Sequence, residues 1–423
     1  VVRRSFIYQL ITLQLTIVLF SSCGSLTITS NNAAAEFAQT QSTPAQSAGK
    51  LDGGFIQYRK DVLRLPRDKW EQLITTVNKQ AEMRVVIIQR LAIPNKPVPD
   101  DGVPLPDQDD TGKDTDETYY EIDTSDPRNP KDKKPTEVIL KYADDNGMEI
   151  YIGLWDETTF NWAKINEKYL RGVEEKYISL ARKVWPLYRR HKSFKGWYLP
   201  LEMWNHANSD EKIDALNSFL KRVIARLRAD VFDDKKRDPT LANEKELLAG
   251  KEVAMSPYFV PKWRDEQNWL STADEVLDIY FRTLHETGIS VLMLQDGVGA
   301  RTMRGNEADN AKWKDLPTYL REVTKYTEAF RQVCSDLNEV GPGKVDFWAN
   351  LESFEPGWVS TNVQRLESQF QAQPRGVSKF VTFDFYHYLN PVVPDGYASG
   401  SLAGRKTLYC DYLNRFLKKK CKD

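Results

Sequence analysis

The stretch VDFWANLESFEP, residues 345–356, alternates strictly over its first eight positions. Val345, Phe347, Ala349 and Leu351 share one side, and every one of them is apolar. Trp348, Asn350 and Glu352 share the other. A period of two is the signature of a strand with two unlike faces. Its apolar face calls for a covering layer. Its other face carries a carboxylate to the strand end, where Pro356 stops the pattern.

Seven more runs of this kind follow residue 50. They are GGFIQY (53–58), RVVIIQRL (84–91), MEIYIGL (148–154), GWYLPLE (196–202), EVAMSPY (252–258), ISVLMLQ (289–295) and KFVTFDFY (379–386). Helical patterns separate them, over 66–81, 166–190, 209–229, 272–286, 316–337 and 405–418. Pro66 suits a helix start, Ser209 an N-cap and Gly288 a helix stop. Between the seventh and eighth strands the only helix candidate is a short polar one, about 361–370. Alternating strands and helices imply a parallel sheet, and eight such units imply a closed (β/α)₈ TIM barrel. An open doubly wound sheet would carry a Gly-rich phosphate loop after its first strand, and none is present. An acidic, Pro-rich insertion, Pro94–Pro135, follows strand 2 and therefore belongs to the mouth face of the barrel, either as a solvated surface loop or as a lid or cleft wall.

Parity along each strand selects the side chains that face the barrel axis. Taking the apolar side as the one covered by helices, the axis set is Gln57, Arg59, Gln89, Trp155, Glu202, Trp204, Ser256, Tyr258, Asn350, Glu352, Asp384 and Tyr386. In the sixth strand Gln295 and Asp296 lie on opposite sides, so either one belongs to the mouth. Barrel interiors favour branched apolar residues. So many amides, carboxylates and aromatic rings form either a plug of hydrogen bonds or a cleft for a hydroxyl-rich ligand. Glu202 and Glu352 end the fourth and seventh runs. Paired carboxylates at that spacing suit glycosidic bond chemistry.

Charge and cysteine content narrow the alternatives. With 59 basic against 60 acidic residues the net charge is −1, which offers no basic field for nucleic acid. Four histidines in no metal-binding spacing, and no C-x-x-C, lead us to expect neither metal nor cofactor. Arg3 and Arg4 precede an apolar stretch that ends in LFSSCG, which resembles a bacterial lipoprotein signal. On this reading residues 1–22 are a signal peptide and Cys23 is lipidated, anchoring the chain in the cell envelope. Cleavage at Ala33-Ala34-Ala35, giving a secreted protein, is the rival. Residues 23–50 read as a flexible tether and 51–423 as the folded domain. Cys410 and Cys421 share the last helical pattern, where eleven residues span about 16 Å. No disulfide is expected between them.

The layout resembles clan A glycoside hydrolases, which implies an acid/base role for Glu202 and a nucleophile role for Glu352. That clan usually has Asn before its acid/base, and here Leu201 stands there. GGFIQ, VVIIQ, TYY, GMEIYIGL, GWYLPLE, MSPYF, LMLQDGVG and FWANLESFEP resemble the bacterial domain-of-unknown-function family 4434, whose members are glycosidase-like TIM barrels. This implies an exported glycoside hydrolase, with retaining chemistry and carboxyl groups roughly 5–5.5 Å apart. A carbohydrate-binding envelope protein without catalysis is the alternative favoured by Leu201. Metal-assisted hydrolysis through Asp296, Asp384 and His387 is a third, weaker reading.

Overall fold

A computed structural model describes residues 49–58, 65–94, 117–119, 134–156, 165–204, 209–229, 251–262, 270–300, 315–341, 343–355 and 357–421. Cys23, the signal peptide, Arg59 and most of the Pro94–Pro135 insertion lie outside these residues. Among the described residues no helix is long and apolar enough to cross a membrane.

Eight parallel strands close into a barrel in chain order. They are β1 (Gly53–Ile56), β2 (Val85–Ile88), β3 (Glu149–Gly153), β4 (Phe194–Leu199), β5 (Glu252–Met255), β6 (Val291–Gln295), β7 (Asp346–Glu352) and β8 (Lys379–Phe383). A helix follows each: α1 (Arg67–Thr75), α2 (Pro135–Asn146), α3 (Glu167–Tyr188), α4 (Asp210–Ala229), α5 (Ala273–Leu284), α6 (Leu316–Val340), α7 (Val363–Gln371) and α8 (Leu402–Leu417). The caps are chemical. Thr272 and Glu275 form a capping box on α5, and Asn362 accepts the Arg365 N–H to start α7. After strand 2 the insertion opens with a ribbon, Ala92–Pro94 against Glu117–Tyr119, and Ala92 bridges to Trp155 just past β3.

Two apolar layers hold the barrel. The outer one packs strand faces such as Phe347, Ala349 and Leu351 against the helices. The inner one fills the axis with Phe55, Val85, Ile87, Tyr151, Tyr198, Ala254, Val291, Met293, Trp348 and Val381. Four aromatic rings therefore stand where branched aliphatics are usual. Tyr198 meets Phe55 edge-on at 5.4 Å, and Tyr151 meets Trp348 edge-on at 5.6 Å. Charges seal the N-terminal end: Lys195 pairs with Glu252 at 2.9 Å, and the Lys379 ammonium lies 4.6 Å from the Trp348 ring centre.

Two expectations fail here. The eighth strand faces the other way. Val381 lies opposite Asn350 and Phe383 opposite Glu352 on β7, so parallel register gives those pairs a common side. Val381 and Phe383 face the axis, and Thr382 and Asp384 face outward. An apolar strand side marks the helix face only where the barrel interior is polar, and this interior is itself apolar. The C-terminus also differs. α8 stops at Leu417, and Lys418 turns the chain at φ 56°. The tail folds back, Cys410 and Cys421 come to a Cα separation of 5.0 Å, and they form a disulfide.

Candidate active site

The mouth is built where the strands end. Gln57 is half-buried past β1, and Gln89 is buried past β2. At the end of β3, a Cβ on Gly153 would sit 2.0 Å from the Gln89 carbonyl oxygen, so only glycine lets the two strands converge there. Ser256 follows β5, with its hydroxyl donating to the Met293 carbonyl at 2.6 Å. Asn350 on β7 donates to that same hydroxyl oxygen at 3.1 Å. Trp204 is half-buried and Tyr258 buried, with ring centres 5.6 Å apart.

The sixth strand divides its two polar residues between the two layers. Gln295 turns to the mouth, where its Nε2 donates to the Ser256 carbonyl at 3.0 Å and to Glu202 Oε1 at 3.3 Å. Asp296 turns away, beneath β7. Its Oδ1 accepts the backbone N–H groups of Glu352 and Val298, both at 3.2 Å. Its Oδ2 accepts from Gln369 on α7 at 2.6 Å.

Glu202 and Glu352 have contrasting surroundings. Glu202 lies three residues past the end of β4 and is exposed. Glu352 is the last residue of β7 and only 2% exposed. The Gly297–Ala300 segment lies against it, and the Ala300 N–H donates to its Oε2 at 2.9 Å. A Cβ on Gly299 would come within 3.0 Å of that same oxygen and 2.9 Å of the Phe354 ring. Glycine is what allows so close a cover. Burial, and then the charge of Asp296, raise the Glu352 pKa, while the Ala300 N–H and Arg365 oppose the rise. Burial also raises Asp296, against its hydrogen bonds and Arg365. Asp296 takes three hydrogen bonds that favour its charge, so Glu352 is the member of the pair whose ionisation is the more disfavoured.

α7 supports this carboxylate from outside the barrel. Arg365 Nη2 donates to the Glu352 carbonyl at 2.6 Å, and its Nη1 pairs with Glu355 at 3.0 Å. Gln369 Nε2 also reaches the Glu352 carbonyl, at 3.1 Å. One turn apart on one helix face, these two side chains fix the end of β7.

Three other expected mouth residues lie elsewhere. Trp155 is in the outer layer, 1% exposed, with the Lys176 ammonium of α3 at 4.6 Å from its ring centre. Strand β3 ends at Gly153, two residues earlier, so its parity does not carry to Trp155. Asp384 is fully buried and accepts the His387 N–H. Tyr386 stacks on Trp70 of α1 at 5.9 Å. His387 Nε2 is 4.0 Å from Asp384, both are buried outside the barrel wall, and Asp296 is bonded to α7 instead. Among the described residues no group of His, Cys, Asp or Glu is arranged to hold a metal ion. Phe383, half-buried beside Glu352 in register, is a mouth residue that the reversed parity concealed. Arg365 and Gln369 were hidden because α7 is short and polar.

A family described as a domain of unknown function (DUF4434) matches residues 51–235 and 238–395. The chain belongs to the DUF4434 family. No curated protein matches it. Among solved structures, a Bacteroides thetaiotaomicron protein reported as a candidate alpha-L-fucosidase is 18% identical, at TM-score 0.55, over 89% of this chain and 98% of that one. An Eisenia fetida endo-1,4-beta-mannanase is 12% identical, at TM-score 0.40, over 87% and 94%. A Thermotoga petrophila endo-beta-1,4-mannanase is 12% identical, at TM-score 0.40, over 80% and 68%. The first similarity supports the (β/α)₈ TIM-barrel fold of this DUF4434 chain. The other two are too distant to carry an argument.

Proposed function

We propose that this DUF4434 protein is a glycoside hydrolase acting on an oligo- or polysaccharide, with Glu202 and Glu352 as its working carboxyls. One observation carries the reading. Two glutamates stand at the C-terminal ends of the fourth and seventh strands, and their environments differ sharply: Glu202 is exposed and accepts from Gln295, whereas Glu352 is buried and anchored by the Ala300 N–H. Divergent surroundings are what separate the roles in a two-carboxylate mechanism.

Glu352 takes the nucleophile's role. It ends a strand, its carbonyl is held by Arg365 and Gln369, and Oε2 is fixed by a backbone donor. Attack on the anomeric carbon needs that rigidity. It also needs the ionised form, so the Glu352 proton must leave before the covalent step. Glu202 takes the acid/base role: first proton donor to the leaving oxygen, then acceptor from the incoming water. Its exposure lets it exchange that proton with solvent. Gln57, Gln89 and Asn350 supply amides for sugar hydroxyls, and Trp204 and Tyr258 supply ring faces.

We propose further that the chain is exported and held in the cell envelope by lipid on Cys23. The LFSSCG leader supports this, and mass spectrometry of the membrane fraction tests it. A free N-terminus near Glu36 would contradict it. The hydrolase reading is tested by incubating the protein with a panel of aryl glycosides and bacterial exopolysaccharides, with Glu352→Gln as the control. Release of sugar by the parent and none by Glu352→Gln is expected. Equal rates would reject the assignment.

A further inference from the structure

Past β7 the chain makes a small antiparallel ribbon, Phe354–Glu355 against Val359–Ser360. Trp358 at its turn is 43% exposed, one of few large apolar side chains in the open among the described residues. Its backbone has φ 58°, the left-handed region that bulky residues avoid. Glu82, Glu286 and Lys418 share that conformation, but each of them sits in a turn that ends a helix. Trp358 follows Gly357, in a turn where a second glycine would sit without strain. A strained, exposed tryptophan at the rim of a candidate site calls for a function.

The ring is presented rigidly. It stacks on Phe354, with centres 5.0 Å apart and planes 22° from parallel. Phe354 in turn meets Tyr388 at 5.2 Å and Phe383 at 6.4 Å. The Trp358 N–H donates to the Glu355 carbonyl at 3.0 Å. The Glu355 carboxylate takes the Thr361 hydroxyl at 2.7 Å and pairs with Arg365, the residue that holds the Glu352 carbonyl. The ribbon is also close to the carboxylate itself. The Phe354 ring edge and Glu352 Oε2 both lie within 3.0 Å of one point, the place of a Cβ on Gly299, so they are within about 6 Å of each other. An aromatic wall thus runs from the Glu352 carboxylate through Phe354 to an open ring face.

We propose that Trp358 is a sugar-binding platform, stacking a pyranose ring of the substrate in a subsite next to the one at Glu352. This rests on the carbohydrate reading of the mouth. A pyranose offers flat C–H faces between polar edges, which suits a ring that is apolar in face and wet at its rim. The ribbon lies at the C-terminal end of the barrel, whereas Leu51, where the chain enters β1, lies at the other end. The stack on Phe354 and the link through Glu355 to Arg365 tie the ring to the Glu352 site, which favours a substrate ring over a lipid surface as its partner.

The test is affinity electrophoresis of the full chain through gels containing galactomannan, xyloglucan, xanthan or alginate, with Trp358→Gly and Trp358→Phe beside the parent. In a gel that retards the parent, Trp358→Gly is expected to lose about tenfold in apparent affinity, and Trp358→Phe to stay within about threefold. Glycine takes the φ of this turn freely, so Trp358→Gly should keep its melting temperature within about 2 °C of the parent. That separates loss of a platform from loss of a fold. Unchanged retardation of a folded Trp358→Gly overturns the platform alone, as does a loss confined to flotation with anionic phospholipid vesicles. If Trp358→Gly melts far lower, Trp358→Asn decides, since Asn tolerates this φ and offers no ring face: lost retardation with parent-like melting supports the platform, and retardation equal to the parent overturns it. A parent that none of the gels retards contradicts the carbohydrate reading itself, and the platform with it.

Discussion

Glu352 holds a proton that its ordinary pKa would not let it keep, because burial and Asp296 both disfavour the charge. The consequence for stability has a definite sign. Below its ordinary value of 4.5 the group is protonated whether the chain is folded or not. Above that value the unfolded chain releases the proton while the folded chain retains it, so stability falls as pH rises towards the folded pKa. Glu352→Gln cannot ionise and escapes this loss. Its melting temperature relative to the parent should climb steadily between about pH 5 and pH 8. A gap that stays flat or narrows would mean that Glu352 is not raised. The kinetic counterpart follows from the nucleophile's role: kcat/KM should rise with pH as Glu352 ionises. Asp296→Asn removes the neighbouring charge, so the midpoint of that rise should move to lower pH. If activity instead falls as Glu352 ionises, Glu352 is the proton donor and the two roles are exchanged.

At the scale of elements, α7 and α8 carry the sharpest expectations. Gln369 donates to both the Asp296 carboxylate and the Glu352 carbonyl from a fully buried position. Gln369→Leu strips a donor from a buried carboxylate and should cost about 1–3 kcal/mol, read from urea unfolding. The α8 disulfide closes a short loop, for which chain entropy gives roughly 3 kcal/mol at most. Cys421→Ser should therefore lower the melting temperature while leaving sugar binding intact, since the tail is remote from the mouth. The order and type of these elements were legible in the sequence, because apolar alternation and helix caps are local signals. Parity was legible in β4, β5 and β7, where one face is uniformly apolar. It misled in β8, where Val381 and Phe383 face an interior that is itself aromatic, and at Trp155, which lies beyond the end of its strand. Asp296 and α7 could not be read together. Their link is a contact between residues 73 positions apart, with no pattern to announce it.

For the molecule as a whole, the closed barrel explains why side chains from residues 57 to 352 converge on one mouth. Eight strand ends ring a floor of aromatic packing, and the polar residues that the core excludes gather above it. The gathered set has amides, ring faces, one exposed carboxylate and one buried one, as a site for a hydroxyl-rich substrate requires. Trp358 extends that set outward and predicts a preference for chains over single sugars. The central claim is that Glu352 attacks the sugar. It is tested most directly by treating the protein with a panel of 2-deoxy-2-fluoro glycosides, which slow release of a covalent intermediate, and mapping the label by peptide mass spectrometry. A glycosyl group on the peptide bearing Glu352, absent from Glu352→Gln, is the predicted result. A label on Glu202 or Asp296, or hydrolysis of the parent aryl glycosides with no label at all, would contradict it.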